Sequence, residues 1–129
     1  MRTMLGLMAA GSVMFLAAEA GAADVKGEIV NAETHAGLAA KASDIDGVHM
    51  HLHHALNCLV GPGGMGYDAK QMNPCANSGA GAIPDTTDAA KKKSLEAAAD
   101  TARKGIAAAD LAAAQKAATD TATMLKPLE

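Results

Sequence analysis

The chain has 129 residues, 11 Lys and Arg against 14 Asp and Glu, a net charge of −3 and 2% aromatic residues. That length makes one domain, and the absence of a basic run or of interleaved basic and aromatic residues argues against a nucleic-acid partner. A core without aromatics must be built from Ala, Leu, Ile, Val and Met. Such side chains bury little area each at ~25 cal/mol per Å², so the helices must approach closely or be tied by another link.

Residues 1–23 have the pattern of a signal peptide. Arg2 gives a short positive start, Met4 to Ala18 form an apolar run, and Ala20-Gly21-Ala22 supplies small residues for cleavage after Ala22 or Ala23. The apolar run is shorter than the ~20 residues of a spanning helix, so no stable membrane insertion is expected after cleavage. Its removal takes Phe15, Arg2 and Glu19, leaving the net charge unchanged and Tyr67 as the one aromatic residue of 24–129.

Glycine and proline divide 24–129 into two helical parts around a loop. In the first part, Leu38, Ala42, Ile45, His49, Leu52, Leu56 and Leu59 would suit one continuous helix. Ser43-Asp44-Ile45-Asp46-Gly47 instead has the residues of a turn and a new cap, with Ser43 and Asp46 spaced as a capping box. The break is favoured, giving helices over 25–42 and 44–60. Residues 61–84 hold Pro62, Pro74, Pro84 and six glycines, and are expected to be a long loop. From Asp85 to Leu125 the sequence reads as a helical hairpin. Thr86, Thr87 or Asp88 caps its first helix, Gly105 and Asp110 mark its turn, and Pro127 ends it. Lys91-Lys92-Lys93 reads as a solvated face. Four helices of matched length predict an all-α, up-down four-helix bundle, with the loop between helices two and three.

Four of the five histidines, His49, His51, His53 and His54, fall within six residues. Imidazole is the commonest protein metal ligand, so the cluster poses a metal question. On a helix, His49 and His53 are i, i+4 neighbours suited to chelating one ion. His51, His54 and Cys58 lie on a different face. His35 is the histidine that can add a ligand from a second element, and Glu28, Glu33, Asp46 and Met50 are further donors. The alternative for His49 and His53 is a hydrogen bond inside the bundle, and for His51 and His54 exposure to solvent. Met50, Met65 and Met72 would suit copper(I) by softness.

Cys58 and Cys75 in an exported chain point to a disulfide. It closes 16 intervening residues, worth about 3 kcal/mol in loop-closure entropy. Such a bridge also withdraws the Cys58 thiolate from metal binding. No Cys-x-x-Cys-His for covalent haem is present, nor a Gly-x-Ser-x-Gly, Walker loop or His-Glu-x-x-His. The chain is therefore expected to be no enzyme.

The Ala-rich texture of Ala102 to Leu125, with His49 to Leu59, resembles the small periplasmic metal-binding proteins built from short helical hairpins rich in Ala and His. The resemblance implies binding of divalent or copper ions by His35, His49, His51, His53 and His54. The chain departs from the pattern in its His-free C-terminal hairpin, its single-helix cluster and its Cys-flanked loop, which points to one or two sites. The expected function is periplasmic (or secreted) binding of copper, nickel or zinc. The alternatives are an exported structural or partner-binding protein with pH-responsive histidines, and a bundle holding non-covalent haem between His49 and His35.

Overall fold

A computed structural model describes residues 21–129, so the expected signal peptide lies outside the described residues except for its last three positions. Among the described residues there are five α-helices and no strand. Helix α1 spans Val25–Lys41, α2 Ile45–Val60, α3 Ala82–Asp85, α4 Ala89–Ala107 and α5 Leu111–Leu125, with a 3-10 turn at Lys126–Leu128. None of these helices is long and apolar enough to cross a membrane.

The helix starts share one device. Asp24, Asp44, Asp88 and Asp110 each precede a long helix, and each side chain accepts the amide three residues on. These bonds satisfy donors the helix itself leaves free. The break between α1 and α2 therefore falls where the sequence places it, but Asp44 makes the cap that the Ser43–Asp46 pattern had suggested. Two other boundaries differ from expectation. A short helix, α3, closes the loop at Ala82–Asp85. Gly105 lies inside α4 and marks no turn: a Cβ there would stand 2.6 Å from Leu52 Cδ1 and 3.0 Å from Ala117 Cβ. Its glycine lets α4 approach α2 and α5.

Helix α1 packs on α2 and α5, and α4 packs on the same two helices. The core has the predicted small-residue character. Ile29, Ala32, Leu56, Leu59, Leu95, Ala98, Ala99 and Leu125 meet in one cluster, and Ala39, Val48, Leu52, Ala102, Ala114 and Ala118 in another.

Two adjacent residues of α2 hold the 61–81 loop. Cys58 and Cys75 form a buried disulfide. Immediately before Cys58, fully buried Asn57 takes over backbone groups that no helix satisfies. Its Nδ2 donates to the carbonyls of Asp68 (3.0 Å) and Met72 (3.2 Å), and its Oδ1 accepts the Asp68 amide (3.0 Å). Buried backbone groups must be paired somewhere, and for this loop one side chain does much of that pairing.

Asn57→Ala should lower the free energy of unfolding by about 2–4 kcal/mol, since it orphans several buried groups at once. Asn57→Asp should be at least as damaging, because an ionised carboxylate would face the same carbonyls. Urea unfolding of the oxidised protein checks both. A loss under about 1 kcal/mol for Asn57→Ala would show that the loop is held without it.

Candidate metal centre

Why the histidines divide as they do follows from α2 itself. Its buried face is formed by Val48, Leu52, Ala55, Leu56 and Leu59. At 100° per residue, His49 and His53 flank that face on one side, while His51, His54 and Cys58 flank it on the other. The two pairs point in directions about 150° apart. Helix α1 covers the second flank. The link from α1 to α2 is only Ala42 to Asp44, so the two helices form a hairpin. His35 lies six residues before the end of α1 and His51 six residues after the start of α2, which sets them at the same height.

The result is a three-histidine group. One ring nitrogen from each of His35, His51 and His54 lies within 4.8 Å of the other two. The Nδ1 atoms of His35 and His51 are 3.4 Å apart. That spacing is long for a hydrogen bond, but two nitrogens bound to one ion at ~2.0–2.1 Å, with tetrahedral or trigonal angles, stand about 3.3–3.6 Å apart. His54 meets both other rings edge-on, with centroids 5.1 Å from His35 and 5.6 Å from His51. It is 6% exposed, and its buried Nδ1 has no hydrogen-bond partner. A buried polar atom without a partner is costly, and a metal ion is one group that would compensate it.

The electrostatics favour the neutral form of two of these rings. Burial pushes the His35 imidazole below its ordinary value, and the neighbouring His54 and His51 push it further. Burial does the same to His54, followed by His51 and His53. Neutral imidazole is the form that offers a lone pair to a metal.

The structure does not bring the other two histidines to this group. Nε2 of His49 lies 3.0 Å from the carbonyl oxygen of Ala108 and, as the N–H tautomer, donates to it. Ala108 is the residue that ends α4, so His49 satisfies one of the carbonyls left free there. His53 faces the loop, with Nδ1 4.0 Å from Asp68 Oδ2. The i, i+4 pair singled out from spacing is thus turned towards α4 and the loop, away from His35. His35 and His49, named above for axial haem ligation, stand by opposite flanks of α2. Glu28, considered as a further donor, is buried two turns along α1 from His35, and both cysteines are committed to the disulfide. Sequence reasoning left out Asn57 and Asp85, whose roles depend on where the loop returns.

Comparison of the chain with protein-family models, with curated proteins and with solved structures finds no match.

The two histidine sets should separate in stability measurements at neutral pH. His49→Ala loses a hydrogen bond at a helix end and should cost about 1 kcal/mol. His51→Ala relieves a crowded, half-exposed ring and should change stability by less than about 0.5 kcal/mol. Thermal unfolding of the two variants checks this, and the opposite ranking would contradict the hydrogen-bond assignment.

Proposed function

We propose that this protein binds one transition-metal ion through His35, His51 and His54. The observation that carries the reading is the convergence of three imidazoles from two helices, two of them at the separation of ligands on a single ion. Copper, nickel and zinc all accept a set of imidazoles. His49 and His53 are given structural roles, the first as a cap for α4 and the second beside Asp68.

The scaffold of the reading is an up-down four-helix bundle. It is supported by α1 and α4 each packing on both α2 and α5. We further propose an exported, periplasmic location, supported by the disulfide and by the signal-like residues 1–23. Among known protein types, the small helical metal-binding proteins of the periplasm fit this reading, with binding in place of catalysis as the activity.

Competitive titration of the oxidised protein with copper(II), nickel(II) and zinc(II) tests it. One equivalent of at least one metal should bind with micromolar or tighter affinity. His35→Ala or His54→Ala should weaken that binding at least about 100-fold, more than the loss typical of a residue that only orients a ligand. His49→Ala should leave it within about threefold. Millimolar binding in the parent protein, or an equal loss in His49→Ala, would remove the proposal.

A further inference from the structure

At the other end of the α1–α2 interface lies a second titratable cluster, independent of the histidines. Glu28 on α1 is completely buried. Its Oε1 accepts the Gly81 amide at 3.0 Å, while its Oε2 is buried with no partner. Asp85 on α3 reaches the same stretch of loop from the opposite side, its Oδ2 accepting the Ala80 amide at 2.6 Å. Both carboxyls converge on Gly79: a Cβ placed there would be 2.2 Å from Asp85 Oδ2 and 2.8 Å from Glu28 Oε1. The two oxygens that flank this position, Glu28 Oε1 and Asp85 Oδ2, therefore stand close to one another.

Among the described residues, no basic group bears on Glu28. The charged groups that bear on Glu28 are Asp85 from α3 and Asp24 from the start of its own helix, both acidic. From the loop, Glu28 meets the Gly81 amide and the Cys58–Cys75 disulfide, whose Cys75 Sγ lies 3.8 Å from the Glu28 carbonyl oxygen. Neither of these titrates. A buried carboxylate such as Glu28 ionises beside the half-buried Asp85 only at a penalty. A single proton between them removes the like charge and supplies the hydrogen bond that the pair otherwise lacks.

We infer that Glu28 and Asp85 share a proton that straps residues 79–81 of the loop onto α1, and that losing this proton releases the strap. The released segment matters beyond its own bonds. Gly79, Ala80 and Ile83 line a cleft of about 840 Å³ together with Val60, Pro62 and Met65, with α4 as a further wall. Asp24, whose amide donates to the Ser78 carbonyl at 2.7 Å, ties the start of α1 to the same strap. The proton thus sets the position of one cleft wall and of the α1 N-terminus together.

The pH range follows from the burial. Desolvation raises the Glu28 carboxyl from its ordinary 4.5 to about 7, opposed by the Gly81 amide and reinforced by Asp85 and Asp24. Because the strapped state holds the proton more tightly than the released state, the strap is fully supported below about pH 4.5. Its support is lost as pH rises to about 7 and is gone above that. Asp85→Asn changes the sign of the response: an amide at that position can accept the Ala80 amide through its oxygen and donate to an ionised Glu28 through its NH2 group.

Amide hydrogen exchange of the oxidised protein at pH 5 and pH 8, corrected for the intrinsic rise in rate, reads this directly. In the parent protein the protection of Ala80 and Gly81 should fall by more than about ten-fold between the two conditions, with Ala118 on α5 unaffected. Glu28→Gln and Asp85→Asn should both keep Ala80 and Gly81 protected at pH 8. If Glu28→Gln does not fold, Asp85→Asn carries the test alone. Unchanged protection in the parent, the same fall in Asp85→Asn, or a fall shared equally by Ala118 would overturn the inference.

Discussion

The packing of α1 against α2 is the constraint on which the rest of the structure depends. The buried face of α1 is Ile29, Ala32, Ala36 and Ala39, none of them exposed. Alanine contributes little apolar area, but it lets two helix axes come close. That closeness brings His35 to His51 and His54 in the middle of the interface. Towards the start of α1, it brings Glu28 beside the disulfide and the returning loop. With a wider separation between these helices, neither group of side chains would meet.

The same constraint explains why the loop is fastened so firmly. A core of small residues leaves a narrow margin between apolar burial and the entropy of ordering the chain. The loop has no regular structure between Gly61 and Gly81 to satisfy its own backbone. Asn57, the disulfide and the Glu28–Asp85 pair each anchor a different part of it. Asn57 and Cys58 are consecutive on α2, so two of these anchors share one turn of helix. The three-histidine group lies one turn earlier still, at His54.

Much of this was legible in the sequence, for reasons that differ from residue to residue. The helix boundaries at Asp44, Asp88 and Asp110 were readable because an aspartate before a helix has one dominant use. The disulfide was readable because two cysteines behind a signal-like leader leave few options. The choice among histidines was less accessible. The periodicity of α2 separates His49 and His53 from His51 and His54, but it does not say which flank α1 covers. Spacing alone favoured the i, i+4 pair, whereas the short link at Ala42 to Asp44 makes His35 level with His51. Gly105 misled for a related reason: a glycine needed for close helix contact looks, in sequence, like one needed for a turn. Glu28 drew notice as a metal donor, and only the path of the loop shows that it meets Asp85.

What unites these observations is an interface of small residues that brings three imidazoles together and leaves the buried Nδ1 of His54 without a partner. The most direct test of that claim is an imidazole nitrogen NMR titration of the oxidised, 15N-labelled protein with zinc(II). The ring nitrogens of His35, His51 and His54 should shift together and saturate at one equivalent, while those of His49 and His53 stay in place. A response centred on His49 and His53, or no saturable response from His35, would contradict the account.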